Sequence, residues 1–134
     1  MGIESVLQFH RHFKLPDATD GDQLLPDHEA QAYRLKFLQE ELDELREALQ
    51  NGDRVKAFDA LLDLEYVLHG TALFMGVGPD VWNAGAAIVH MANMTKVRVV
   101  SADESKRGSA FDVCKPPGWV APEPRLREIL RVNR

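Results

Sequence analysis

Ile3, Val6, Leu7, His10 and Phe13 recur at three- and four-residue steps, a spacing that lines one side of a helix. The pattern predicts a short amphipathic helix that runs to about Lys14, ahead of Pro16, whose ring cannot continue it. Residues 17–26 are rich in Asp, Gly and Pro and read as a loop. Asp27 is placed to cap a long second helix reaching Gln50, where Asn51-Gly52 supplies a stop. Along it, Leu35, Leu38, Leu42, Leu45 and Leu49 alternate by three and four residues and form one apolar seam. Asp53 can cap a third helix, which runs to about Phe74 and breaks at Gly76-Val77-Gly78-Pro79. This helix is apolar nearly all round and is therefore expected at the centre of a bundle. A fourth helix is predicted from Pro79 or Asp80 to about Val97, with Trp82, Ala86, Val89, Met91 and Met94 among its apolar positions.

Beyond it the pattern changes. Val97 to Val100 is β-prone, a polar and basic stretch follows, and a Pro/Gly-rich segment leads to Leu126, Ile129 and Leu130, which mark a last short helix. The expected fold class is all-α, an antiparallel bundle of about four to five helices. Residues 1–97 form the bundle and residues 98–134 a basic loop with a short terminal helix, within a single domain spanning 1–134.

The 134 residues, 45% hydrophobic and 28% charged, give room for one domain with a sizeable core and argue against a disordered chain or a membrane protein. The single cysteine, Cys114, can form no internal disulfide, and no secretory leader is apparent, so the chain reads as cytoplasmic. A net charge of -5 argues against a nucleic-acid binder that blankets phosphates. The charge is unevenly spread, with -9 over residues 1–92 and +4 over residues 93–134. An acidic body can hold a divalent cation while a basic tail meets a phosphorylated ligand.

The second helix carries Glu40, Glu41, Asp43, Glu44 and Glu47 in one run. A solvated face is the ordinary explanation, but at about 100° per residue Glu41 and Glu44 share one flank, with Glu40 a further 40° or so beyond Glu44. Phe37 and Ala48 bracket that flank one turn to either side, which points to partial cover. On the third helix Asp59 and Asp63, one turn apart, share a face with Tyr66, Val67 and Gly70. Carboxylates in such surroundings must be paired, protonated or bound to a metal. Arg34, Arg54 and Lys56 are the available basic partners, and the acids outnumber them. An all-oxygen donor set suits Mg²⁺ or Mn²⁺ rather than zinc. A ferritin-like di-iron site would need paired Glu-x-x-His motifs, and Glu65 and His69 are four apart. His10 and His12 diverge at helical spacing and read as packing or surface residues.

Asn83, His90 and Asn93 form a polar stripe on the fourth helix, and Lys96 extends it by one turn. Asn93 can hydrogen-bond a carboxylate, and Lys96 can meet a phosphate as a point charge. In the tail, Lys106, Arg107 and Lys115 precede Pro116-Pro117-Gly118-Trp119. A segment of this composition can fold over a nucleotide, its cations on the phosphates and Trp119 against the base.

The constellation resembles the all-α nucleoside triphosphate pyrophosphohydrolases, a group that includes MazG, dimeric dUTPases, dCTP pyrophosphatases and phosphoribosyl-ATP pyrophosphohydrolase. Glu40-Glu41-x-x-Glu44 matches the family's EExxE, and Asp63 in DALLDLEYVLHGTAL matches the aspartate of its ExxD. HMANMTK is similar to its asparagine-and-lysine segment, and KPPGW resembles the lysine-proline tail of MazG-like members. In one respect the chain departs from the pattern. Ala60 stands where ExxD places an acid, with Asp59 one residue earlier, so the number of bound metals stays open.

The resemblance implies Mg²⁺-dependent hydrolysis between the α- and β-phosphates of a nucleoside triphosphate, giving a nucleoside monophosphate and pyrophosphate. It implies Glu40, Glu41, Glu44 and Asp63 as metal ligands, with Asp59 a less certain one, and Glu40 or Glu41 as the base. Asn93, Lys96, Lys106, Arg107, Lys115 and Trp119 are the expected contacts to substrate and phosphate. A homodimer or dimer of dimers is expected, with no nucleic-acid or membrane partner. Three other readings remain at this point, one of them a purely structural bundle in which Asp63 is paired to a basic residue. Phosphoribosyl-ATP pyrophosphohydrolase would use the same helices on a different nucleotide, and a catalytically inert helical dimer would bind a nucleotide or a protein.

Overall fold

Two aspartates begin the two longest helices. In the computed structural model, which describes residues 2–132, Asp27 Oδ1 accepts hydrogen bonds from the backbone N–H of Glu29 (3.0 Å) and Ala30 (3.1 Å). Asp53 Oδ1 accepts from Lys56 N at 3.0 Å. Each satisfies N–H groups that a helix start leaves open, an effect of about 1 kcal/mol. Helix α1 spans Ile3–His12, α2 His28–Gln50, α3 Arg54–Phe74, α4 Pro79–Asn93 and α5 Glu123–Val132. Strands β1 (Val97–Arg98) and β2 (Val113–Cys114) form a two-stranded antiparallel ribbon, with Val97 opposite Cys114 and Arg98 opposite Val113. The fold is all-α apart from that ribbon, as the periodicity predicts. No single helix is long and apolar enough to cross a membrane.

The chain divides into two compact units, Met1–Trp82 and Asn83–Arg134. In the first, α2 and α3 form an antiparallel hairpin closed by Gly52, whose φ of 65° lies in the left-handed region that glycine adopts without penalty. The antiparallel sense shows in the pairing, since Arg34 meets Val67 and Thr71 while Glu41 and Glu44, further along α2, meet the earlier Asp63. Helix α1 lies against α3, and Ile3 and Val6 are buried with Ala72 and Leu73 in a core flanked by Leu7, Ala18, Tyr66, Val77 and Trp82. Complete burial of a side chain the size of Leu73 contributes about 1.5–3 kcal/mol.

In the second unit, Leu126 and Ile129 of α5 close on Gly85, their methyl carbons 3.4 and 3.5 Å from where a Cβ would stand. The Trp119 indole N–H donates to Ala92 O at 3.0 Å and fastens the Pro/Gly-rich segment to the end of α4.

Three expectations change. Helix α1 ends at His12, and Lys14 takes a positive φ of 56°. Helix α4 ends at Asn93 rather than near Val97, because Thr95 Oγ1 donates back to Ala92 O at 2.7 Å and the following valine enters the ribbon. Lys96 therefore lies in the turn before β1 and does not extend the helical stripe. Helix α3 is not enclosed on all sides within the chain. It buries Ala60, Val67, Ala72 and Leu73 but leaves Phe58, Leu61 and Leu68 exposed, and on α2 the leucine seam presents Leu35, Leu42 and Leu49 to the outside.

Candidate metal centre

Glu41 and Glu44 are three residues apart on α2 and so lie on neighbouring turns of one flank. Asp63 reaches the same place from α3. One carboxylate oxygen from each of the three can lie within 4.8 Å of the other two. Small residues on both helices permit this approach. Ala48, one turn beyond Glu44, and Ala60, one turn before Asp63, are both buried. Ala60 thus packs in the position where the resemblance places an acid, and its neighbour Asp59 is exposed.

The electrostatics are those of crowded acids that form no ion pair among the described residues. Burial, reinforced by Glu44, Asp63 and Glu40, pushes the Glu41 carboxyl up to about 7. Burial and the nearby Asp59 and Glu44 push Asp63 up as well. Glu41 Oε2 is buried with no hydrogen-bond partner among the described residues. The ion pairs among those residues are Arg11–Asp17, Arg46–Asp43 and Arg107–Asp112, and none touches the cluster. An orphaned buried oxygen within three convergent carboxylates fits a hard divalent cation, which binds oxygen ligands and favours their ionised form.

The other acids lie at the margins of this cluster. Glu40 is exposed and lines a groove with Tyr33, Lys36 and Phe37. Asp59 lines a second groove with Glu44, Glu47, Asn51, Asp53 and Lys56. Arg34, one of the basic partners considered for the acids, is instead buried. Its guanidinium donates to Val67 O at 2.8 Å and to Thr71 Oγ1 at 3.2 Å, and it lies 4.8–5.4 Å from the ring centres of Tyr33, Phe37 and Phe74. His10 is buried too, with Nδ1 hydrogen-bonded to Pro16 O at 2.6 Å, whereas His12 is exposed against Phe13. The burial of Arg34 is not signalled in the sequence, because its partners lie more than 30 residues away along the chain.

The phosphate-binding candidates belong to the second unit. Asn93 is the exposed last residue of α4. Lys96 and Lys115 both approach the Trp119 ring, at 5.3 and 5.0 Å from its centre. Lys106 is exposed, and Arg107 is engaged by Asp112 at 2.8 Å.

Residues 6–93 match the family model of phosphoribosyl-ATP pyrophosphohydrolase, well over half of the chain. The matched segment contains α2, α3 and the whole carboxylate cluster. The protein belongs to this family, within the all-α nucleoside triphosphate pyrophosphohydrolases, and is a pyrophosphohydrolase acting on phosphoanhydride bonds. No curated protein matches the chain.

Proposed function

We propose that this pyrophosphohydrolase cleaves the α–β anhydride of a nucleoside triphosphate, releasing a nucleoside monophosphate and pyrophosphate, with Mg²⁺ or Mn²⁺ held by Glu41, Glu44 and Asp63. The observation that supports this most is the convergence of those three carboxylates around an oxygen that has no other partner. A cation held there supplies charge neutralisation for the phosphates and acidifies a water molecule. The residues do the rest. Glu41, whose second carboxylate oxygen is left over when one ligates the cation, is one candidate for the general base. Glu40, at the mouth of the aromatic groove, is the other candidate for that role. Asp59 adds charge beside Asp63 and takes the part that Ala60 cannot. Asn93, Lys96, Lys106, Arg107, Lys115 and Trp119 serve the substrate, the cations among them opposing charge on the phosphate oxygens.

The family match makes phosphoribosyl-ATP the first substrate to test. Free deoxynucleoside triphosphates come second, supported by the KPPGW tail, which lies beyond the matched residues. Both present the same triphosphate to the carboxylates. The enzyme acts in the cytoplasm as a homodimer or dimer of dimers, the exposed Phe58, Leu61 and leucine seam being covered by a second copy. The test is pyrophosphate release from phosphoribosyl-ATP and a panel of canonical and modified triphosphates, with and without Mg²⁺. Metal-dependent turnover of one of them supports the reading, and a folded protein that turns over none overturns it.

A further inference from the structure

The ribbon in the second unit brings two like charges together at one end. Val97 pairs with Cys114, and Lys96 and Lys115 are the residues that flank this pair just outside the two strands. Neither lysine has an ion-pair partner among the described residues. Both ammonium groups instead approach one aromatic ring, that of Trp119. The ring is itself held fast. Its N–H donates to Ala92 O at the end of α4, and its backbone N–H donates to Pro116 O at 3.1 Å across a turn in which Gly118 takes a φ of 76°. Contact with an indole face contributes about 0.5–1 kcal/mol per exposed cation, which biases the two lysines toward one ring without neutralising them. Two uncompensated cations gathered at one ring attract a multiply charged oxyanion.

We infer that Trp119 is a positioning residue that gathers Lys96 and Lys115 into one dicationic subsite for a diphosphate or longer polyphosphate. That chemistry is common to the triphosphate of a substrate and to released pyrophosphate, so the inference rests on the proposed α–β cleavage. It gives the indole a task other than stacking on a base.

The experiment is calorimetric titration of inorganic pyrophosphate into the full chain in EDTA, where no cation is available to the carboxylates. Wild type is expected to bind, less tightly as salt rises. K96M and K115M are each expected to bind about 10-fold more weakly, the loss that follows removal of one charged hydrogen bond. W119L is expected to weaken binding as much although both lysines remain, whereas W119F, which keeps an aromatic face but not the N–H that holds the ring to Ala92 O, is expected to fall between W119L and wild type. Pyrophosphate binding unchanged in W119L, or as weak in folded W119F as in W119L, overturns the inference, as does wild-type protein that binds no pyrophosphate. Adenosine binding lost in W119L while pyrophosphate binding is intact also overturns it and puts the ring against a base. In turnover assays, W119L raises KM if the subsite holds substrate, and raises the inhibition constant of pyrophosphate alone if it holds product. The two proposals fail separately. Hydrolysis that proceeds with W119L indistinguishable from wild type removes the subsite only, and pyrophosphate binding in this order without any hydrolysis removes the reaction only.

Discussion

Arg34 Nη2 donates a hydrogen bond to Val67 O across 2.8 Å and so fixes α2 against α3 beside the carboxylates. Arg34 precedes Glu41 by two helical turns, and Val67 follows Asp63 by one, so this tie sets the level at which the acids meet. Thr71 strengthens it, accepting from Arg34 Nε and donating its own hydroxyl to Val67 O at 2.8 Å. Three aromatic rings surround the guanidinium where a carboxylate would be usual. R34M keeps the bulk and removes the donors. Its expected cost is about 1.5–3 kcal/mol of stability, the range for hydrogen bonds made by a charged group. Urea unfolding measures this, and Mg²⁺ affinity should fall with it as the helices lose register.

Gly70 is tied to the same arginine. A Cβ at this position would lie 2.8 Å from Arg34 Nη2 and 2.9 Å from His10 Nε2, closer than packed atoms tolerate. In an open helix, Gly→Ala gains up to about 1 kcal/mol. Here G70A is expected to destabilise by roughly 1–3 kcal/mol through overpacking. The cost should shrink in R34M, and a double-mutant cycle by thermal unfolding reads that coupling. Equal costs in both backgrounds would show that Arg34 is not what the new methyl group meets.

The metal-free protein should lose stability as pH rises through the Glu41 titration. Its carboxyl is raised from 4.5 to about 7 on folding, so between those values the folded state holds a proton that the unfolded chain has released. The Glu41 contribution is fully present below about 4.5 and is lost as pH rises through about 7. His10 acts in the opposite sense. Burial and Arg34 lower its imidazole from 6.5, so its contribution is present above 6.5 and is lost as pH falls through its folded value. The informative quantity is therefore the melting temperature of wild type minus that of E41Q in EDTA, which should decline from pH 4.5 to 7. With Mg²⁺ added, the decline should flatten, because the cation favours the ionised carboxylates.

Phe58 and Leu61 are 62% and 53% exposed in the single chain, unusual for large apolar residues of a long helix. If a second copy covers them, F58E should convert a dimer into a monomer at micromolar concentration in sedimentation equilibrium. Wild-type protein that is already monomeric under those conditions would contradict the arrangement.

Local rules carry the helical framework. Asp27 and Asp53 cap where a short acceptor side chain precedes a periodic stretch, and the breaks at Asn51-Gly52 and Gly76 follow from backbone preference. The acid run and Asp63 were legible as a candidate site because spacing puts Glu41 and Glu44 on one flank, and the family resemblance singled out Asp63. Which acids converge was not legible, since it depends on the level at which two helices meet, and Arg34 with its distant partners decides that. The same limit hid the convergence of Lys96 and Lys115 on Trp119. They flank a two-residue ribbon that forms because Thr95 ends the predicted helix early. The apolar girth of α3 was visible, but periodicity alone does not tell an enclosed helix from one that waits for a partner chain.

The most direct test of the central claim is Mn²⁺ binding followed by electron paramagnetic resonance, with turnover measured on the same samples. E41Q, E44Q and D63N should each weaken Mn²⁺ binding, and pyrophosphate release should fall in parallel by about 10²–10⁴-fold. Mn²⁺ binding and turnover that remain at the wild-type level in folded D63N would show that the three carboxylates do not form the metal centre.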